Sequence, residues 1–308
     1  MSGRFRVLFL VMFHLAERIG GIDLEHKRSS IPAVLAEIDL ADIPASDRKY
    51  LLAFALGAVE HRTTLCASGT KTNAMKTVVI SLGGSILIPT LENHTIKEYV
   101  PVLKKIAKSH RLFVVVGGGG EARRYISVTR ELGIDEGTSD EIGILITRLN
   151  ATILISALGE DAYPKVAETH SEAKKFAESG KIVVMGGITP GQTTDAVAAV
   201  LAERVRAAVF INATSVDGIY SADPKKVPDA KRFALLTPKQ LLDIVGGTGL
   251  GAGSNNVLDI VAARVVERSG IPLVVLDGRD PKNLSNAILK GKYTGTVVSD
   301  GKKKPLPL

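Results

Sequence analysis

Short apolar runs alternate with longer amphipathic stretches along the chain from residue 75 onward. Most of these runs are continuously apolar, which is typical of strands buried on both faces of a parallel sheet. Strands are predicted at residues 77–81, 112–116, 153–156, 182–185, 208–212 and 273–276, and helices at 96–109, 193–206, 238–244 and 258–269. This order predicts an α/β fold, a three-layer αβα sandwich around a mostly parallel central sheet.

Residues 1–74 have a different character and are predicted to be an N-terminal extension of a domain formed by residues 75–308. They contain two weakly helical stretches and then a polar segment, residues 68–74, typical of a linker. Two explanations stay open, an upstream start assigned in place of Met75 and a genuine accessory segment. The apolar stretch at residues 7–13 is too short to span a bilayer, which favours an amphipathic helix over a signal peptide. No membrane role is expected.

Composition narrows the class of protein. The formal net charge of +7 suits an enzyme of anionic substrates, whereas the 5% aromatic content and the lack of a basic run with interleaved aromatics disfavour nucleic-acid binding. The single cysteine, Cys66, excludes an intrachain disulfide and a cysteine zinc cluster. A chain with so little cysteine suits a reducing compartment, so a cytoplasmic location is expected.

Three glycine clusters follow predicted strands or lead into helices, at residues 83–85, 117–120 and 186–187. Backbone amides at such positions can approach an anion closely, and a helix N-terminus adds a partial positive charge. One cluster alone would fit an ordinary tight turn, but three at equivalent strand ends indicate a phosphate site. The sequence contains neither a P-loop nor a dinucleotide-binding glycine fingerprint, so a different phosphate cradle is required.

The segments VVISLGGS (78–85) and VVVGGG (114–119) resemble the opening of the amino-acid-kinase superfamily. Three later stretches resemble its uridylate kinases of the archaeal type: DEIG with TRLNA (140–143 and 147–151), PGQTTDAVA (190–198) and TSVDGIYSADPKK (214–226). The resemblance covers residues 75–308. It implies direct phosphoryl transfer from ATP to UMP, a magnesium ion held largely by nucleotide phosphates, and a homohexamer.

The resemblance also implies a set of site residues. On the ATP side these are Gly83, Gly84, Ser85, Gly119, Arg123, Thr214, Tyr220 and Asp223. On the UMP side they are Gly118, Asp140, Thr189, Pro190, Gly191, Gln192, Thr193, Thr194 and Asp195. The planar guanidinium of Arg123 suits phosphate and the carboxylate of Asp140 suits ribose hydroxyls. The plainer alternatives are a solvated helix charge for Arg123 and a helix N-cap for Asp140.

The sequence departs from the family pattern at Ser81, where bacterial uridylate kinases carry a lysine. Phosphoryl transfer needs positive charge on the equatorial oxygens, so Lys225 is predicted as a catalytic residue, with Lys226 as its alternative and Arg123 beside them. Asp259 stands where relatives with amino-acid substrates carry a lysine, which favours UMP as the acceptor. The remaining alternatives are a kinase of the same fold acting on a carboxylate, carbamate or isopentenyl phosphate, and a noncatalytic nucleotide-binding protein.

Overall fold

The central sheet has seven strands in the computed structural model, which describes residues 75–222, 227–246, 257–301 and 305–308. The strands are β1 (Thr77–Leu82), β2 (Arg111–Val116), β3 (Val183–Met185), β4 (Val209–Thr214), β5 (Leu235–Leu236), β6 (Leu273–Asp277) and β7 (Gly295–Val298). Their spatial order is β3-β2-β1-β4-β6-β7-β5. The first five in that order are parallel, β7 is antiparallel to β6, and β5 is parallel to β7. The mostly parallel sheet is therefore confirmed.

Nine α-helices cover the sheet within the described parts of the chain. They are α1 (Gly84–Leu87), α2 (Ile96–Ala107), α3 (Gly119–Glu131), α4 (Glu136–Leu158), α5 (His170–Phe176), α6 (Thr194–Arg204), α7 (Pro238–Val245), α8 (Ile260–Ser269) and α9 (Pro281–Lys290). Several begin at a side-chain cap, since Thr193, Thr237 and Asp259 each accept a backbone N–H bond from the first turn.

Alternation of side chains along each strand places two apolar cores on opposite faces of the sheet. Val78, Ile80 and Leu82 of β1 belong to the core shared with α2, α4 and α9. Val79 belongs to the other core, which includes α6, α7 and α8. A sheet covered in this way has strands buried on both faces, which explains their continuous apolar runs.

The predicted strand at residues 153–156 is wrong, because these residues lie inside α4. The buried residues in this part of α4 recur at helical spacing: Asn150, Ala151, Leu154, Ile155 and Leu158. A four-residue apolar run fits both the strand period and one side of a helix, so only its neighbours decide between them. The other predicted strands and helices are found with small changes at their ends. The elements that were not predicted are the strands β5 and β7 and the helices α1, α3, α4, α5 and α9.

The region Glu136–Asp161 passes the length and hydropathy test for a membrane span, the only such region among the described residues. It includes all of α4, which packs against α2, α3 and the sheet. Polar side chains of α4, including Arg148 and Asn150, also bond to loops of the sheet. These contacts identify α4 as the core helix of a globular domain.

Candidate functional site

The three glycine clusters lie at one edge of the sheet, where the parallel strands β1, β2 and β3 reach their carboxyl ends. Gly83 follows β1, and its amide donates to the Ala213 carbonyl of β4 at 3.1 Å. Gly117 follows β2 in the same way, and its amide donates to Leu82 at 3.0 Å. Ligands of open α/β sheets bind at this edge, so the expected location of the phosphate site agrees with the fold.

Gly84 and Gly119 lie where the loops that follow β1 and β2 pack closely against each other, which is one reason why both residues are glycines. A Cβ atom on Gly84 would lie 2.1 Å from the Gly119 nitrogen and 2.4 Å from the Gly117 carbonyl oxygen. Gly119 also has a φ of +69°, which side-chain-bearing residues rarely adopt. Both residues are buried, whereas Gly83 and Gly118 are partly exposed and Ser85 is exposed. Of the predicted phosphate-facing residues, these last three offer accessible surface.

Asn150 on α4 supports the second loop and was not predicted as a site residue. Its buried side-chain amide donates to the Gly117 carbonyl at 3.0 Å and to the Gly118 carbonyl at 3.3 Å. The helix α3 then begins at Gly119, so α4 fixes the loop that leads into the α3 N-terminus. The available signal was its place in the stretch TRLNA (147–151), which resembles the family.

Asp140 does not cap α4, because Asp135 occupies the N-cap position and accepts from the Thr138 amide at 2.9 Å. The carboxylate of Asp140 instead accepts from the backbone amide of Gly191 at 2.7 Å. Asp140 is partly exposed. The structure thus joins two predicted UMP-side residues that lie 51 positions apart in the sequence.

The helix α4 also bonds to Gly187, in the loop that leads from β3 to Gly191. The Thr147 hydroxyl accepts from the Gly187 amide at 2.7 Å, and the Arg148 guanidinium donates to the Gly187 carbonyl at 3.3 Å. Arg148 also forms an ion pair with Glu168 at 2.9 Å. Thr147 and Arg148 belong to a sequence stretch that resembles the family, but their role as supports for this loop was not predicted.

We call residues 189–195 the acceptor segment. Its first five residues, from Thr189 to Thr193, are exposed, whereas Thr194 and Asp195 are partly exposed. Thr193 caps α6 by accepting from the Ala196 amide, and its hydroxyl donates to the Asp259 carboxylate, which itself caps α8. The N-termini of two helices therefore meet at the acceptor segment, and Thr194 is the first residue of α6.

Asp195 points toward the sheet from the first turn of α6. Its carboxylate accepts from the Ser81 hydroxyl of β1 at 2.6 Å and from the Asn212 amide of β4 at 3.4 Å. Removal from water raises the pKa of Asp195 to about 6, and the neighbouring Asp259 carboxylate adds to this rise, while the bonds from Ser81 and Asn212 oppose it. Ser81 thus donates a neutral hydrogen bond to Asp195, where the family resemblance led us to expect a lysine.

On the other side of the same sheet edge, Thr214 ends β4, and Tyr220 follows it in the chain and forms an isolated β-bridge with Arg232. The Tyr220 hydroxyl donates to the Asp217 carboxylate at 2.7 Å, and Arg232 forms an ion pair with Asp217 at 3.5 Å. We call Thr214, Asp217, Tyr220 and Arg232 the donor cluster. The bond to Asp217 also raises the pKa of Tyr220. Asp217 and Arg232 were not predicted.

Of the three predicted catalytic cations, Arg123 lies among the described residues, whereas Lys225 and Lys226 do not. Arg123 is exposed on α3, one turn after Gly119, and takes part in none of the ion pairs among the described residues. Asp223, Lys225 and Lys226 lie outside the described residues. Among the residues that the structure describes, no three His, Cys, Asp or Glu side chains come together as metal ligands.

Residues 76–277 match the amino acid kinase family. The chain is 74% identical over 234 residues to the uridylate kinase of Methanoregula boonei, covering 76% of this chain and 100% of that protein. It is 64% identical to the uridylate kinase of Methanoculleus marisnigri over 76% of this chain and 100% of that protein.

Solved structures give the same picture of the fold. The crystal structure of uridylate kinase from Archaeoglobus fulgidus superposes with a TM-score of 0.66 at 47% sequence identity, covering 73% of this chain and 100% of that one. The UMP kinase from Ureaplasma parvum superposes with a TM-score of 0.61 at 23% identity, covering 73% of this chain and 99% of its own. The second match is informative about the fold alone.

Proposed function

This chain belongs to the amino acid kinase family, and we propose that it is a uridylate kinase that transfers a phosphoryl group from ATP to UMP, giving ADP and UDP. The observation that carries the proposal is 74% identity to a uridylate kinase along that protein's entire length. The contact between Asp140 and Gly191 supports it, because it brings the two predicted UMP-side motifs together.

In the proposed reaction an oxygen of the UMP phosphate attacks the γ-phosphorus of ATP in line with the bond to ADP. The new P–O bond forms as the bond to the β-phosphate oxygen breaks, with no covalent enzyme intermediate. Backbone amides at the carboxyl edge of the sheet and the N-termini of α3, α6 and α8 supply partial positive charge around the phosphates. Arg123 and Lys225 are proposed to supply full positive charge.

Magnesium is proposed as the cofactor that accompanies ATP. The described residues offer no three-ligand acidic or histidine cluster, and magnesium in phosphoryl-transfer sites is commonly held by one or two carboxylates together with phosphate oxygens. The ion would therefore be carried mainly by the nucleotide. It would neutralise charge on the phosphates during transfer.

We propose that the enzyme is cytoplasmic. We also propose that it assembles as a homo-oligomer, the homohexamer that the family resemblance implies. Two neighbouring helices support the assembly, since α3 with its C-cap residue Leu132 and α4 carry large apolar side chains that are between 38% and 71% exposed: Tyr125, Val128, Leu132, Leu145, Leu149 and Ile153. Apolar side chains grouped in this way mark surfaces that other chains cover. Light scattering should give six times the chain mass, and Leu149→Asp should reduce it.

The experiment that tests the proposed function is a coupled ADP-release assay with a panel of acceptors. UMP should be phosphorylated with the highest kcat/KM, ahead of other nucleoside monophosphates, acetylglutamate, carbamate and isopentenyl phosphate. A strong preference for one of the other acceptors would identify a different kinase of the same fold. Absence of ADP release with every acceptor would instead favour a nucleotide-binding protein.

A further inference from the structure

Asn212 places a side-chain amide in the middle of the buried sheet. It lies in the central strand β4 within the run VFINAT, and it is only 2% exposed. An amide buried without hydrogen bonds destabilises the folded state, so the bonds that this side chain makes are informative. Its neighbour in the sheet register is Ser81 of β1, which is also polar and only 1% exposed.

The amide of Asn212 joins two segments that are far apart in sequence. Its Nδ2 atom donates to the Val257 carbonyl at 2.8 Å and to the Asp195 carboxylate at 3.4 Å. Asp195 lies in the first turn of α6, and Val257 lies two residues before Asp259, the cap of α8. Asn212 therefore links the starts of both helices from the inside of the sheet.

A second link joins the same two helices at the surface, where the Thr193 hydroxyl donates to the Asp259 carboxylate. The two links together fix the spacing between the N-termini of α6 and α8. Because a helix N-terminus attracts phosphate oxygens only at short range, this spacing determines where a phosphoryl group between them is best stabilised.

The charge balance around Asp195 makes the neutral donors important. Among the described residues Asp195 takes part in no ion pair, and Asp259, the N-cap residue of α8, is a second carboxylate that acts on it. Ser81 from β1 and Asn212 from β4 donate to Asp195, and both bonds favour its ionised form. These side chains take the place of a cation on that face of the sheet.

We propose that Asn212 is a positioning residue for phosphoryl transfer, which holds Asp195 and the start of α8 in the geometry that the transition state requires. The inference rests on the proposed function and extends it to a residue that is expected to touch neither nucleotide. Its effect should appear in kcat, since the positions of the helix N-termini matter most when charge spreads over the transferred group.

The test compares the wild-type enzyme with Asn212→Leu, which has nearly the same size but no hydrogen-bonding group. We expect kcat with UMP and ATP to fall about tenfold or more, while both KM values stay within about threefold. The acid limb of the pH profile of kcat should move to higher pH by about half a unit to one unit, as expected when an ionised carboxylate loses a hydrogen bond. Asn212→Ser, which keeps a donor, should recover part of both effects.

The matched control is Thr129→Val, since Thr129 is a buried hydrogen-bonding residue at the far end of α3. It should lower the melting temperature without moving the acid limb. If Asn212→Leu changes kcat no more than this control does, the proposed role is wrong. Should Asn212→Leu fail to fold, the same comparison is made with Asn212→Ser against the wild type.

A measurement that does not use activity separates this inference from the proposed function. The Asp195 carboxylate can be titrated by carbon-detected NMR in the wild type and in the Asn212 variants. A higher midpoint in the variants supports the role of Asn212 even for a different acceptor, and an unchanged midpoint overturns it. Failure of the wild type to phosphorylate UMP would overturn the proposed function alone.

Discussion

The acceptor segment and the donor cluster lie at the same edge of the sheet but are held in different ways. Contacts of the acceptor segment and its entry loop come from distant parts of the chain, with sequence separations of 51 for Asp140–Gly191, 40 for Thr147–Gly187 and 114 for Ser81–Asp195. In the donor cluster, Tyr220 and Arg232 bond to Asp217 from only 3 and 15 positions away.

This difference indicates which side of the site depends on the whole fold. The acceptor side is arranged by α4 and by two strands before any nucleotide binds, which is a form of preorganisation. The donor side is arranged mainly by one turn and the strand region beside it. We therefore expect single substitutions on the acceptor side to change UMP kinetics selectively, and donor-side substitutions to act on ATP or on the chemical step.

The largest effect is expected for Asp140→Ala. Two charge-assisted bonds to the UMP ribose would imply a loss of about 10² to 10⁴ in kcat/KM for UMP, and the Gly191 amide would lose its acceptor as well. Asp140→Asn should lose less, and KM for ATP should barely change. Steady-state kinetics with UMP and with 2′-deoxy-UMP measure kcat/KM for each acceptor and KM for ATP in the wild type and both variants.

Comparison of the two acceptors separates ribose binding from support of the loop. The preference of the wild type for UMP over 2′-deoxy-UMP should disappear in Asp140→Ala if the carboxylate binds the 2′-hydroxyl. An equal loss for both acceptors would mean that Asp140 acts only through Gly191.

A smaller loss, about 10² in kcat, is expected for Lys225→Ala on the donor side. Removal of one preorganised charge that acts on the transition state lowers kcat and leaves KM for ATP nearly unchanged. Lys226→Ala is the matched control one residue away. Normal kcat in both variants would assign the transition-state charge to Arg123.

Asp195→Asn should affect stability in the opposite direction to activity. The pKa of Asp195 is raised from its ordinary value of 3.8 to about 6, so the folded protein binds more protons than the unfolded chain between those pH values. Stability therefore falls as pH rises from about 4 to about 6. The asparagine removes this loss, which is at most about 3 kcal/mol and is reduced by solvent screening.

Thermal unfolding at several pH values checks the prediction. At neutral pH the melting temperature of Asp195→Asn should rise by a few degrees, and the pH dependence between about 4 and 6 should become weaker. Turnover of UMP should nevertheless fall. Ser81→Ala is the useful comparison, since loss of its bond to Asp195 should raise the pKa of that carboxyl further and extend the fall in stability to higher pH.

The smallest effect is expected from removing residues 1–74. The relatives from Methanoregula boonei and Methanoculleus marisnigri are covered completely while matching only 76% of this chain, and every proposed site residue follows Met75. A shortened chain beginning at Met75 should unfold cooperatively and phosphorylate UMP as well as the full chain does. A marked loss of either property would show that the first 74 residues complete the enzyme.

The sequence by itself determined the fold class, the edge of the sheet at which the site lies, most of the strands and four of the nine helices that the structure describes. Continuous apolar runs specify strands that are buried on both faces, and glycines after such runs specify tight turns with accessible amides. These are local properties of the chain. The run at residues 153–156 was misassigned for the same reason, because four apolar residues carry too little periodicity to distinguish a strand from α4.

The tertiary structure alone decided how distant polar residues combine. The partner of Asp140 is a backbone amide 51 residues away, which no spacing rule gives. The polar side chains of Ser81 and Asn212 interrupt two apolar strands, and their shared partner Asp195 becomes visible only when β1, β4 and α6 are packed together. Such contacts depend on strand register and helix placement, which are set by the packing of the whole core and not by any one segment.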